Sequence, residues 1–272
     1  MKLSIAIPDS CLKDEKKHEN KTRKIFQIAR AAGIFQVDNI IIYKDGKEFE
    51  TDSKLLTTIL RYLETPQHFR KQLYPKSGLL QFVGALSPLK IPNQVVTSDP
   101  KQVKKNDIRE GIILGKNGKK IIDIGIDYTI QYHGKKEIGK RVIVKIKQGL
   151  PDFVVYDIEK DQLPNFWSYN VKHGGNLLTL LNEWKGPKIL TSRKSKKFNN
   201  ESISKILSSK EAVLVVFGTT DKGIHEILNK KISTIQNFKA WNFFPHQGTE
   251  TVRLEEAILG CLAILNTKIY FE

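Results

Sequence analysis

Apolar residues recur along this chain in two rhythms, and the change between them divides it. Leu3 to Ile7 is a short apolar run ended by Pro8-Asp9-Ser10, the pattern of a buried strand. After the charged stretch Lys13 to Lys24, residues Ile25, Ile28, Ala29 and Ala32 fall at helical spacing until Gly33, and Val37 to Tyr43 reads as a second strand. Strand, helix and strand in this order make a βαβ unit, which builds parallel sheets. Asp52 to Leu63 predicts another amphipathic helix, stopped at Thr65-Pro66. The segment Gln67-His68-Phe69-Arg70-Lys71 beyond it suits either RNA contact or a plain amphipathic cover.

The helical rhythm ends at Pro88-Leu89-Lys90-Ile91-Pro92. Short β-rich runs replace it: Ile108 to Leu114, Lys120 to Ile126, Arg141 to Ile146 and Phe153 to Tyr156. Asn117-Gly118 between the first two predicts a tight hairpin. Gly115-Lys116-Asn117-Gly118-Lys119-Lys120 looks like a phosphate loop, but no Ser or Thr follows a Gly-Lys pair and a strand comes next, so it reads as a turn. After Trp167-Ser168-Tyr169-Asn170-Val171 the alternation returns. Helices are predicted at Leu177 to Trp184, Glu201 to Ser208 and Lys222 to Asn229, with strands at Pro187 to Thr191 and Ala212 to Phe217. The expected organisation is an α/β domain with a Rossmann-like parallel sheet, residues 1–87 plus 165–272, interrupted by a small inserted β-barrel, residues 88–164.

The most unusual stretch lies near the end, where Trp241-Asn242-Phe243-Phe244-Pro245-His246-Gln247-Gly248-Thr249-Glu250-Thr251-Val252-Arg253 runs into the helical pattern Leu254, Ile258, Cys261, Leu262, Leu265. Thr251 is expected to cap that helix, with free backbone N–H groups beside it, a geometry suited to binding. Two strand exits have the same character, Leu190-Thr191-Ser192-Arg193 and Val216-Phe217-Gly218-Thr219-Thr220-Asp221, and ligands of open α/β sheets bind beyond such carboxyl ends. The first strand is followed by no Gly-x-Gly-x-x-Gly, which argues against an ordinary NAD-binding Rossmann domain.

Charge adds a partner. The 272 residues carry 45 Lys+Arg against 29 Asp+Glu, a formal charge of +16, which favours a polyanion. Lys116, Lys119, Lys120, Lys135, Lys136, Lys140 and Arg141 crowd the β-rich segment, with Tyr128, Tyr132 and His133 among them. Such a mixture suits single-stranded RNA on an OB-like barrel, where cations follow phosphates and rings stack bases. Cys11 and Cys261 lie far apart with no paired spacing, so neither a disulfide framework nor a metal site is expected, and Cys261 reads as core. No apolar run approaches the roughly 18 residues of a membrane span, so a cytoplasmic protein with no membrane partner is expected.

The run Asn242 to Ala257, with Phe217-Gly218-Thr219 upstream, resembles the cofactor end of SPOUT methyltransferases. More narrowly, it is similar to an archaeal and eukaryotic group of RNA uridine N3-methyltransferases with an inserted OB-like domain. Pro8-Asp9-Ser10 and Tyr62-Leu63-Glu64-Thr65-Pro66-Gln67 match that group too, and the similarity spans nearly the whole chain. The resemblance implies a C-terminal trefoil knot, S-adenosyl-L-methionine bound within it, a homodimer, and rRNA or tRNA as substrate. It places the cofactor against Thr191, Arg193, Phe217, Gly218, Thr219, Asn242, Phe243, Phe244, Pro245, Gln247, Gly248, Thr249, Thr251 and Val252, with Gly248 allowing close approach. Arg253 is then expected to orient the substrate and Glu250 to take a ring proton, although Arg253 could instead pair with Glu256 and Glu250 favour a helix start. A non-catalytic RNA-binding or ribosome assembly factor and a protein methyltransferase are the alternative functions on this fold.

Overall fold

The structure, a computed structural model, describes residues 2–46, 49–94, 97–199, 203, 206, 211–219 and 222–269. The helix expected at 201–208 therefore lies almost wholly outside the described residues. The chain divides into two compact units, residues 1–63, 77–87 and 169–272 in the first, residues 64–76 and 88–168 in the second.

The first unit is built on six parallel strands: β1 (Leu3–Pro8), β2 (Val37–Lys44), β8 (Asn170–Asn176), β9 (Lys188–Thr191), β10 (Val213–Val216) and β11 (Phe238–Trp241). Their order is β11-β9-β10-β1-β2-β8. Both central strands, β1 and β10, are buried along their whole length, which explains their unbroken apolar sequences, since a parallel strand covered on both faces has no polar side to present. On one face Ala6, Ile41, Tyr43, Leu190, Leu214 and Val216 pack with Leu177 and Leu181 of α4 (Leu177–Glu183) and with Ile224 and Leu228 of α5 (Ile224–Leu228). Alternation turns Ile5, Ile7, Ile40 and Ile42 to the other face, and α1 (His18–Ile34) packs on β2. Helix α2 (Glu50–Glu64) is tied to α1 by Lys21 and Asp52 at 2.6 Å, and its Leu60 carbonyl accepts from the buried Tyr169 hydroxyl at 2.8 Å.

The last helix, α6 (Leu254–Ile269), returns to pack on α1. Lys24 of α1, with a side chain only 2% exposed, bonds Asp14 at 2.6 Å and lies 3.2 Å from Glu255 in the first turn of α6. Two strands carry no readable pattern. β8, Asn-Val-Lys-His-Gly-Gly-Asn, is a polar edge strand largely open to solvent. β11 is a four-residue edge at the other side. An edge strand lacks the two-sided burial that writes itself into a sequence.

The second unit is a curled antiparallel sheet, β5-β4-β3-β6-β7, from β3 (Ile108–Lys116), β4 (Lys119–Asp123), β5 (Ile130–Gln131), β6 (Arg141–Gln148) and β7 (Val154–Ile158). Asn117 and Gly118 make the expected two-residue turn, with φ of 49° and 73° and Lys116 facing Lys119. The strand read as running to Ile126 stops at Asp123, whose carboxylate accepts the Gly125 N–H at 2.8 Å and folds the chain away. At the two sheet edges the Tyr132 hydroxyl, just past β5, donates to Asp157 of β7 at 2.6 Å. The segment weighed for RNA contact is helix α3 (Gln67–Leu73): Phe69 is buried, Arg70 donates to the Thr65 carbonyl and the His68 ring lies against Gly125.

Inside this unit Arg141 sits between two buried carboxylates, 2.7 Å from Glu64 and 2.9 Å from Glu110, and Trp167 and Asn93 donate to Glu110 as well. Burial raises the Glu110 pKa, and the neighbouring Glu64 adds to the rise against the opposing pull of Arg141. The expectation that Arg141 serves RNA is thus corrected, because its charge is engaged in the interior. An Arg141→Gln variant leaves two buried carboxylates facing each other and is expected to lose about 3 kcal/mol of stability at neutral pH. A carboxyl group whose folded pKa is raised binds more protons folded than unfolded, so this loss should shrink as pH falls through the raised range toward 4.5. Urea midpoints of the variant and parent at pH 7 and near pH 4.5 check both size and direction.

Candidate functional site

Parallel strands place all their carboxyl ends along one edge of the sheet, and three of them open a cleft in the first unit. Thr191 to Lys194 leave β9, Phe217 to Thr219 leave β10, and Asn242 to Val252 leave β11; with the first turns of α5 and α6 they enclose ≈ 230 Å³. The floor is fixed by backbone pairing. Phe217 N–H donates to Ala6, its carbonyl accepts the buried Tyr43 hydroxyl at 2.7 Å, and the Thr191 hydroxyl donates to the Val216 carbonyl at 2.9 Å. Gly218 follows. A Cβ there would stand 3.0 Å from the Lys222 carbonyl and 3.3 Å from the Ile224 nitrogen, so the bend of this loop onto α5 leaves little room for a side chain.

The long loop after β11 is threaded against the loop after β9. Asn242 N–H donates to Lys196, its carbonyl accepts from Phe198, and its side-chain amide donates to the Arg193 carbonyl. Arg193 in turn donates from its guanidinium to the Glu250 carbonyl at 2.8 Å, while the Gln247 amide donates to the Thr249 and Glu250 carbonyls. Phe198, Trp241 and Phe243 form an aromatic cluster under this crossing, and the Phe244 ring lies over Gly260 of α6.

Most residues expected at a cofactor converge here: Thr191, Arg193, Phe217, Gly218, Thr219, Asn242, Phe243, Phe244, Gln247, Thr251 and Val252 all line the cleft. Pro245, Gly248 and Thr249 lie in the same loop without lining it, and Gly248 has open space around it, so the steric demand for glycine falls on Gly218. Thr220 and Asp221 lie outside the described residues. Thr251 does not cap α6. The helix begins at Leu254, and the Arg253 N–H donates to the Glu256 carboxylate at 2.9 Å, so Glu256 meets Arg253 through its backbone, a capping role for the acid. The Arg253 guanidinium is exposed and 4.0 Å from Glu15, and Glu250 is exposed too; neither lines the cleft, although their chain neighbours Thr251, Val252 and Leu254 do.

Sequence reasoning missed Ser192, Lys194, Gly223, His225, Glu226, Leu254, Ala257 and Cys261 on the cleft wall. The signal was available for several: Gly223 to Glu226 open the helix after β10, where the same carboxyl-end rule applies. The Ser195 hydroxyl and His225 Nε2 are 2.8 Å apart, and Lys194 beside Glu226 holds its carboxyl below the usual range. Cys261 is core as expected yet also faces the cleft, and burial pushes its thiol far above the range of a reactive cysteine. Among the described residues no group of three or more His, Cys, Asp or Glu is placed to hold a metal, and no helix is long and apolar enough to cross a membrane.

Residues 2–265 match the profile of a family described as "Putative RNA methyltransferase". An uncharacterized protein of Halobacterium salinarum is 26% identical over 97% of this chain and 99% of its own length. The 28S rRNA (uridine-N(3))-methyltransferase of Mus musculus is 29% identical over 97% of this chain and 75% of its own. Its namesake in Homo sapiens is 30% identical over 97% and 77%.

Arg193 pins the outer loop through one charged hydrogen bond at the surface, an interaction worth about 1.5 kcal/mol. Arg193→Ala is expected to speed amide exchange across residues 247–252 by roughly tenfold while leaving the exchange of β1 and β10 unchanged, measured by hydrogen-exchange mass spectrometry.

Proposed function

The chain belongs to this RNA methyltransferase family and is a methyltransferase; from that premise we propose that it moves a methyl group from S-adenosyl-L-methionine to N3 of a uridine in ribosomal RNA. The observation carrying this reading is the cleft formed where three strand-exit loops face one another at residues 191–194, 217–219 and 242–252. Its residues suit the cofactor's chemistry. Phe217, Phe243, Leu254 and Ala257 offer an apolar wall for an adenine, and the loop held open by Gly218 presents backbone groups able to recognise a ribose and a purine edge. S-adenosyl-L-methionine bound there supplies a methyl group on a sulfonium, and its transfer leaves a neutral thioether.

For this chain the remaining work is positioning and removal of one proton. Uridine N3 carries a hydrogen that must leave as the N–C bond forms, and Glu250, exposed beside the cleft, is the proposed acceptor. Arg253, held at the start of α6 by the bond between its N–H and Glu256, is proposed to orient the substrate's phosphate or carbonyl oxygen. The threading of the β11 exit past residues 196–198 supports a trefoil knot in this region. The Tyr132–Asp157 bond between the sheet edges supports an OB-like barrel over residues 88–164 within the second unit, whose exposed Lys116, Lys119, Lys135, Lys136 and Lys140, with the partly covered Lys120, are proposed to meet RNA. Ile34 on α1 and Leu259 on α6, 51% and 48% exposed, support a homodimer through these packed helices.

Calorimetry with S-adenosylhomocysteine is expected to show saturable binding, and labelled methyl should appear in rRNA and not in the protein fraction. Arg253→Ala is expected to keep S-adenosylhomocysteine affinity and lower methyl incorporation at least about tenfold, a loss of about 1.4 kcal/mol of transition-state stabilisation. Absence of heat, or label only in protein, would overturn the assignment.

A further inference from the structure

A second and larger cleft, ≈ 520 Å³, opens on the same edge of the parallel sheet, at the carboxyl ends of β2 and β8. Glu226 lines both clefts, so the first turn of α5 is a wall common to the two. The function argued above uses none of its other residues.

Its charges are unevenly engaged. The two acids are already satisfied: Asp45 accepts the Ser10 hydroxyl at 2.8 Å, and Glu226 is paired with Lys194 and accepts the Gly223 N–H at 3.1 Å. The three cations, Lys44, Lys222 and Lys231, are exposed and make no ion pair among the described residues. The backbone beneath Lys222 is held firmly, because its N–H donates to the Thr219 hydroxyl at 2.8 Å and its carbonyl accepts the Thr219 N–H at 3.0 Å. Between the lysines the lining is mixed: Asn176 is polar, Leu177 and Leu228 are buried, and Leu178 and Ile227 are half-buried and offer an apolar strip. Three exposed cations beside a short apolar strip match a polyanion that also carries flat, weakly polar groups, which is the make-up of single-stranded nucleic acid.

We propose that this cleft binds the sugar–phosphate backbone of single-stranded RNA next to the nucleotide being methylated. Lys44, Lys222 and Lys231 contact phosphates, and a flanking base rests against the half-buried Leu178 and Ile227. The proposal rests on the reading of the neighbouring cleft as the methyl-transfer site, which makes a flanking nucleotide of the same strand the group that reaches it.

The test is fluorescence anisotropy of a short labelled single-stranded oligoribonucleotide against the full chain over a salt series, with Lys44→Gln, Lys222→Gln, Lys231→Gln and the triple variant. Each lost phosphate contact should flatten the slope of log affinity against log salt by about 0.7, so the triple variant should lose about 2 from the slope. Its affinity at low salt should drop at least about tenfold, while S-adenosylhomocysteine binding by calorimetry stays at the parent value. Parent-like slope and affinity in the triple variant would overturn the proposal even if the cofactor binds. A parent chain that gives no heat with S-adenosylhomocysteine would instead defeat the reading of the neighbouring cleft, and the lysine result would still decide whether this one binds RNA. Should Lys116→Gln/Lys119→Gln/Lys140→Gln alone remove the salt dependence, the second unit carries the contacts and the proposal fails.

Discussion

The hydrogen bond from the Tyr43 hydroxyl to the Phe217 carbonyl holds the site together from within. Both groups are fully covered, and an unpaired carbonyl at that depth would cost about as much as a lost hydrogen bond with nothing from water to offset it. Strand β10 ends at Val216, so the Phe217 carbonyl has left the sheet ladder and needs a partner from elsewhere. Tyr43 reaches it from β2, two strands away across β1. The turn at Gly218 starts from this fixed point, and the walls on either side are positioned by bonds that start from it: Thr191 on Val216 and Thr219 on Lys222.

Electrostatics serve two separate purposes in the molecule. In the interior, Arg141 with Glu64 and Glu110, and Lys24 with Asp14 and Glu255, each set one cation between two acids and tie distant segments together. Outside, exposed lysines dominate, and over the whole chain 45 Lys+Arg against 29 Asp+Glu leave an excess of +16. A basic residue's function therefore depends on depth, and residue type alone misassigned Arg141. Its position in a strand that alternates buried and half-buried residues held the information, since an arginine on such a strand needs a carboxylate nearby.

The elements written most clearly in the sequence were those whose burial is one-sided or complete. β1, β2 and β10 appear as apolar runs, α1, α2 and α6 as helical spacings, and the 117–118 hairpin as a turn chemistry that few residue pairs satisfy. The cleft was legible because glycine, threonine and aromatic residues gather at strand exits, where a fold alone does not require them. What stayed hidden depends on contacts between distant segments. β8 and β11 are short or polar edge strands with no repeating pattern, Glu256 took the capping role assigned to Thr251, and the lysine-rimmed cleft joins residues 44–45, 176–178 and 222–231, which no local pattern connects.

The ion trio of Asp14, Lys24 and Glu255 also bears on how the protein is made. Lys24 is buried, and its two acids come from opposite ends of the chain. Until α6 has left the ribosome, Lys24 has only one of its partners, α1 has no helix to cover its outer side, and the cleft lacks the wall that Leu254, Ala257 and Cys261 supply. Contacts between segments so far apart in sequence are slow to form, because a long loop must be closed before they can be made. Without α6 the sheet could still form, but the cleft would lack one wall, so the capacity to bind depends on a contact between segments far apart in sequence.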